Sequence, residues 1–220
     1  RAFRAGSYMN VNLAIEKEAQ FSIIVDQGTG DFLRMRGEAA LNTVINPDGT
    51  IGVAGTYTIN QGAYELNYSF IKRRFEIREG STVTFSGDPL KAELDLKAVY
   101  NANVPPFELV ERQVSDPAQL VYYNQRLPFE IELNLRGPVM KPEIGFDIVL
   151  PDRSYGLSGD VTSLMQAKLA QLRNRPSDLN KQVFAVLLLN RFVSDNPFSS
   201  SAGGTTPQSL ARQSVSKLLN

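Results

Sequence analysis

From Tyr8 to about Leu150 apolar and polar residues alternate, the period-2 mark of strands with one buried face and one wet face. Met9, Val11, Leu13 and Ile15 open the pattern, and Phe21, Ile23 and Val25 continue it. Ile51, Val53, Tyr57 and Ile59 follow a Pro47-Asp48-Gly49 turn, and Tyr64, Leu66, Tyr68 and Phe70 follow Gly62. Later runs are cleaner. Ala92, Leu94, Leu96, Ala98 and Tyr100 alternate with Glu93, Asp95, Lys97 and Val99, and Leu127, Phe129, Ile131, Leu133 and Leu135 with Pro128, Glu130, Glu132, Asn134 and Arg136. Turn residues recur at Gly28 and Gly30, Gly37, Asp48-Gly49, Gly62, Gly80, Gly87-Asp88-Pro89 and Gly137-Pro138, so roughly eight to ten strands fit before residue 151. The expected body is mainly β, an antiparallel meander.

Residues 104–123, with Pro105-Pro106 and Pro117, break the alternation over too long a span for a hairpin turn. They read as an excursion with a short helical turn near 118–122. After Ser158 the period changes to about 3.6. Asp160 is the expected N-cap, and Val161, Leu164, Met165, Leu169 and Leu172 share one face of a helix that ends before Pro176. A second helix starts at Ser177; its apolar positions, among them Phe184, Leu188, Phe192 and Val193, cover more than a narrow stripe and call for burial on two sides. The expected organisation is a sheet domain over 1–157, a helical segment over 158–195, a Ser/Gly/Thr-rich linker over 196–207, and an amphipathic helix over 208–220 carrying Leu210, Val215, Leu218 and Leu219. The chain opens on Arg1 and closes inside that helical pattern, so a longer parent chain is expected.

Composition narrows the chemistry more than the fold. The 220 residues carry 23 basic and 23 acidic side chains, which removes the electrostatic footprint of a nucleic-acid binder. There is no His and no Cys, so the imidazole base, the thiolate nucleophile and the usual zinc ligands are missing. No window approaches the roughly 18 consecutive apolar residues of a membrane span. Gly28-Thr29-Gly30 lacks the Lys of a phosphate loop and reads as a turn. Carboxylates such as Glu130 and Glu132, or Glu93 and Asp95, stand two apart on polar faces, where a solvated surface is a plainer reading than an acid/base pair. Lys72, Arg73 and Arg74 are candidate contacts for a phosphate headgroup or a partner, against the plainer reading of a basic turn beside Glu65, Glu76 and Glu79. No catalytic residue, metal or cofactor is expected.

What remains is the apolar face, and two readings share its residues. In one, it is the closed core of a sandwich or barrel. In the other, the sheet folds into a long open trough whose inner face holds acyl chains. That trough would be lined by Val53, Tyr57, Ile59, Tyr64, Leu66, Phe75, Ile77, Phe85, Leu94, Leu96, Phe129, Ile131, Leu133 and Leu135. The helix positions Leu164, Leu172, Phe184, Leu188 and Phe192 would pack across the trough mouth on the sheet, or face a partner or a membrane.

The run Asp48-Gly49-Thr50-Ile51-Gly52-Val53-Ala54-Gly55-Thr56-Tyr57 leads to Gln61-Gly62-Ala63-Tyr64-Glu65-Leu66, then to Lys72-Arg73-Arg74-Phe75-Glu76-Ile77-Arg78-Glu79-Gly80-Ser81 and Phe85-Ser86-Gly87-Asp88-Pro89-Leu90. In this order, with Gly30-Asp31-Phe32-Leu33 upstream and Leu135-Arg136-Gly137-Pro138 before Lys141-Pro142 downstream, the sequence resembles the C-terminal domain of the TamB family. The two helices and the Ser209-to-Leu219 ending are similar to its TamL-partnered branch.

The resemblance implies a non-enzymatic segment of a large protein, anchored in the inner membrane of a diderm bacterium and running through the periplasm toward the outer membrane. It implies kinship with AsmA-like bridge proteins, whose apolar, open, taco-like β trough is thought to conduct phospholipid. Implied partners are phospholipid acyl chains and an outer-membrane protein of the Omp85 class, of TamA or TamL type, with a role in inserting outer-membrane β-barrels. A closed-core scaffold that only docks a protein partner is the alternative.

Overall fold

A computed structural model describes residues 7–26, 31–68, 71–114, 117–151 and 159–194. Among these residues nine strands form one antiparallel sheet: β1 (Met9–Ile15), β2 (Gln20–Asp26), β3 (Asp31–Ile45), β4 (Ile51–Tyr68), β5 (Ile71–Ile77), β6 (Ser81–Gly87), β7 (Glu93–Val104), β8 (Leu127–Pro138) and β9 (Glu143–Val149). Two short helices, α1 (Phe107–Val110) and α2 (Pro117–Asn124), occupy the excursion; α3 (Gly159–Arg173) and α4 (Pro176–Leu189) follow the sheet. The main-β class and the antiparallel order are those expected from alternation. Gly28, Gly30, the expected linker and the final helix lie outside the described residues.

The nine strands are seven ribbons in a meander. β1 and β2 lie end to end along β3, with Met9–Ile15 opposite Ile45–Ala39 and Gln20 opposite Arg36. β5 and β6 likewise lie end to end along β4, Ile71 opposite Tyr68 and Ser81 opposite Ile59. The interruptions line up. Residues 16–19 break the first ribbon, the β3–β4 register shifts between Arg36 and Gly37, and residues 78–80 break the β5–β6 ribbon. A row of irregularities thus crosses the sheet at one level, where strands bend and twist more strongly.

Two glycines expected to make turns stand instead inside this row, and their role is steric. Gly37 sits within β3, where a Cβ would lie 2.2 Å from the Thr58 carbonyl oxygen. Gly62 sits within β4, where a Cβ would lie 2.9 Å from Ile77 Cδ1 and 3.1 Å from the Arg34 carbonyl oxygen. Only a residue without a side chain lets the bulged strands approach so closely. In the β5–β6 break, Ser81 substitutes for the missing ladder: Lys97 N donates to its Oγ at 3.2 Å, and that hydroxyl donates to the Arg78 carbonyl at 2.7 Å.

The other turns follow their local chemistry. Asp48 caps the β3–β4 hairpin by accepting from Thr50 N (2.9 Å) and Thr50 Oγ1 (2.7 Å), which holds its carboxyl below the usual range. Asp48 is followed by Gly49 at φ 86°. Asp88 accepts from Leu90 N at 3.0 Å and starts a single 3₁₀ turn at Pro89–Lys91. Gly137-Pro138 closes strand β8, and the turn comes just after, with Lys141 N donating to the Pro138 carbonyl at 3.0 Å.

The chain groups into two compact units, residues 1–100 with 132–145, and residues 101–131 with 146–220, so that β7, β8 and β9 supply residues to each. In the second unit the helices cover the strand ends. Phe129 of β8 meets Phe192 edge-to-face at 5.0 Å, Phe146 of β9 meets Phe184 of α4 at 5.6 Å, and Val104, Ile131, Ile148, Met165, Val183 and Val186 are fully buried. Arg173 of α3 grips Asp147 at 2.8 and 2.9 Å and the Ile148 carbonyl at 3.0 Å.

Two helix expectations are corrected here. Helix α3 begins at Gly159, so Asp160 stands in its first turn rather than at its cap, still suited to the helix dipole. Helix α4 ends at Leu189 on the left-handed Asn190 (φ 53°), so Phe192 and Val193 lie beyond it. Phe192 remains buried because the buried Gln182 holds the returning chain, accepting from Val193 N at 3.0 Å and donating to the Val193 carbonyl at 2.7 Å.

Gly37→Ala should destabilise the protein by about 1–3 kcal/mol or more through overpacking against backbone, whereas Gly49→Ala, in open space at a turn, should cost about 1 kcal/mol; urea unfolding separates the two. Gln182→Leu leaves two backbone groups without their partner and should cost about 1–3 kcal/mol by the same measurement.

Candidate functional site

Directly paired residues of a sheet share a face, so the register assembles the apolar face from the sequence upward. In the first unit it runs Phe21–Met35–Gly62–Ile77–Ala98 across one level and Ala39–Tyr57–Val83–Leu94 across another. On β4 the apolar positions are odd up to Ile59 and even from Gly62, Tyr64 and Leu66 onward. Asn60, the extra residue of the bulge, absorbs that change of phase. One continuous strand therefore keeps one face apolar over its whole length.

Burial along this face is graded. Tyr57, Ile59, Phe75, Ile77 and Leu96 are buried, and Val53, Tyr64, Leu66, Phe85, Leu94 and Leu135 are half-buried. Leu133 is buried in the first unit, and Phe129 and Ile131 belong to the closed core of the second. Toward the β1 edge and the β3–β4 hairpin the same face opens: Met9 is 52% exposed, Val11 40%, Leu13 47%, Ile51 51% and Phe21 39%. Alternation placed these five on the apolar face but could not mark them as its accessible part, because exposure depends on which strand is the edge.

Strand β1, Met-Asn-Val-Asn-Leu-Ala-Ile, is the outermost strand among the described residues and contains no charge, Pro or Gly, the residues that usually protect an edge. Its register is pinned on the polar face by Asn42, whose Nδ2 donates to Asn10 Oδ1 at 2.8 Å and Asn12 Oδ1 at 2.9 Å.

The basic run does not form one cluster. Arg73 points to the apolar face, paired opposite Leu66, with its guanidinium 5.6 Å from the Tyr100 ring centroid. Arg74 points to the polar face, where it donates to Glu76 at 2.7 Å and Glu65 at 3.5 Å; the Glu76 hydrogen bond, then its charge, hold the guanidinium above its ordinary range. Lys72 is exposed on that same face. Arg74 there lines a hollow of about 440 Å³ with Gln20, Arg34, Arg36, Gln61, Glu65 and Glu76, above the buried Ala63. Within it Arg36 donates to Gln20 at 3.1 Å and Arg34 lies 5.4 Å from the Phe32 ring centroid.

Two of the carboxylates noted in the sequence each meet a cation. Glu132 is buried rather than solvated, with Lys97 at 2.8 Å, and Asp95 meets Arg136 at 3.3 Å. Among the described residues no group of three or more His, Cys, Asp or Glu side chains is arranged to hold a metal ion. Of the helix positions, Leu172 and Phe192 are buried in the second unit and Leu164, Phe184 and Leu188 are half-buried there. No helix among the described residues is long and apolar enough to cross a membrane.

A comparison with curated proteins finds no match. The family model for the TamB C-terminal domain matches residues 1–220. With the apolar-faced antiparallel meander and its C-terminal helices covered from end to end by that model, the chain belongs to the TamB family.

Proposed function

We propose that this chain is a periplasmic part of an inner-membrane-anchored TamB-like protein, and that its apolar sheet face conducts phospholipid acyl chains toward the outer membrane while an outer-membrane Omp85-class protein, of TamA or TamL type, receives it during β-barrel assembly. Membership of the family supports the role in outer-membrane assembly. The lipid path rests on one observation: the apolar face that is core under β4, β5 and β7 continues past Thr43 of β3 into the exposed Met9, Val11, Leu13 and Ile51.

The physics suits passage rather than capture. Burying a CH₂ is worth about 0.8 kcal/mol, so a sixteen-carbon chain gains on the order of 10 kcal/mol from a dry groove, close to what it has in a bilayer. Transfer between the two is then nearly isoenergetic, with headgroups left in water along the open side. Bulk and alternation suffice for this, and no catalytic group is involved. The kinship with AsmA-like bridge proteins and the TamL-partnered branch are part of the same proposal.

A second reading, a scaffold that docks a protein partner, is favoured by one feature, the closed second unit with Phe129 sealed beneath Phe192. Leu13→Asp discriminates the two. Leu13 is exposed, so the change should leave the unfolding free energy within about 0.5 kcal/mol of the parent. On the lipid reading, phospholipid that accompanies the detergent-free protein in native mass spectrometry should fall several-fold in the variant. Parent protein free of lipid, or lipid unchanged by Leu13→Asp, contradicts the lipid path.

A further inference from the structure

Tyr57 carries a buried polar atom that folding leaves unused. Its side chain lies on the apolar face of β4, the residue is 5% exposed, and its hydroxyl has no hydrogen-bond partner among the described residues. Buried hydroxyls are nearly always satisfied, and one left alone costs stability unless something else binds it. Ser81, on the same face and equally buried, shows the ordinary case, with its hydroxyl fully engaged between Lys97 and Arg78.

The position of the ring says where that partner would come from. Tyr57 stands opposite Ala39, but its ring leans along β3 over Gly37, with Cζ 2.9 Å from the point a Cβ there would occupy. Gly37 and Glu38 fall where β1 has ended, opposite Ala39, and β2 has not begun, opposite Arg36. The end of the ring therefore lies beside the gap in the edge ribbon that residues 16–19 bridge. Phe21, half open to solvent, closes over it edge-to-face at 5.6 Å.

The chemistry around the hydroxyl selects a neutral acceptor. The face positions nearest it, Leu13, Ile15, Phe21, Met35, Ala39 and Leu41, carry no charge. Lys17 in the bridging turn pairs with Glu38 at 3.6 Å, on the opposite face. A phosphate placed here would be desolvated without a cation, whereas a carbonyl would not. Burial raises the Tyr57 pKa, which keeps it a donor.

We propose that the Tyr57 hydroxyl donates to an ester carbonyl of an acyl lipid whose chains lie along Leu13 and Leu41, so that this face distinguishes ester-linked acyl chains from plain hydrocarbon. The proposal rests on the lipid reading above and adds to it a contact point and a substrate class. It also gives the sheet irregularity a use: Gly37 admits the ring, and Phe21, itself 39% exposed, is the side chain whose displacement would uncover the hydroxyl to a lipid.

The test compares dioleoyl phosphatidylcholine with its diether counterpart on the full 220-residue chain, by competitive native mass spectrometry, with infrared spectra of the ¹³C-carbonyl diester. The parent should favour the diester by about three- to tenfold, the range for one net hydrogen bond, and the bound carbonyl band should shift to lower frequency. Tyr57→Phe should bring the ratio to about one, abolish the shift, and leave the lipid-free melting temperature unchanged or raised. Equal binding of both lipids by the parent, or a ratio that Tyr57→Phe does not alter, overturns the Tyr57 contact alone and assigns the hydroxyl to a trapped water. No binding of either lipid by the parent overturns this proposal together with the lipid path. Should the variant not fold, the parent's ratio and carbonyl shift decide the matter by themselves.

Discussion

Phase is the constraint on which the rest of this molecule depends. A strand of eighteen residues such as β4 must keep one face apolar along its length, and a single uncompensated residue would turn every later side chain to the wrong side. The chain meets the constraint with aligned breaks: Asn60 is extra on β4, residues 16–19 and residues 78–80 each stand against two residues of the neighbouring strand, and Gly37 and Gly62 let backbones meet where side chains would collide. Ser81 repairs the ladder where it would otherwise be open. Because phase survives the row of bulges, Met9 on the first ribbon and Ala98 on the fifth belong to one apolar surface.

That surface is put to two uses in different places. Under the middle strands it is core, and Ile59 and Phe75 are sealed. At β1 it faces outward, and large apolar side chains remain exposed beside an uncharged strand edge. The second unit resolves the same problem the other way, by laying α3 and α4 on strand ends and locking them with Arg173 and Gln182. The apolar face is therefore sealed in the second unit and under the middle strands of the first, and exposed at β1, where the proposed lipid path lies.

Period-2 alternation carries the faces of the strands, and from it the main-β class, the antiparallel meander and the apolar side of β7 and β8 follow directly. What alternation cannot carry is continuity. The change from odd to even apolar positions around Gly62 looks like a turn between two strands, yet it is a bulge inside one, because a phase slip and a chain reversal leave the same trace in a sequence. Exposure was equally hidden: Leu13 and Leu96 have the same pattern, and only strand order makes one an edge residue and the other core. Lys72, Arg73 and Arg74 are adjacent in sequence and read as one patch, while the pleat sends Arg73 to one face and its neighbours to the other. Spacing alone extends the last helix to Phe192; a left-handed Asn190, which hydropathy does not mark, ends it first.

The most direct test of the central claim uses the pleat as its own control. Photo-crosslinking residues placed singly at positions 9, 11 and 13, and at 10 and 12, in the TamB-like protein within its native envelope would sample the two faces of β1 at nearly identical depth. The account predicts phospholipid adducts at 9, 11 and 13 and none at 10 and 12, identified by mass spectrometry of the crosslinked protein. Lipid adducts at all five positions, or protein adducts alone at the odd ones, would contradict it.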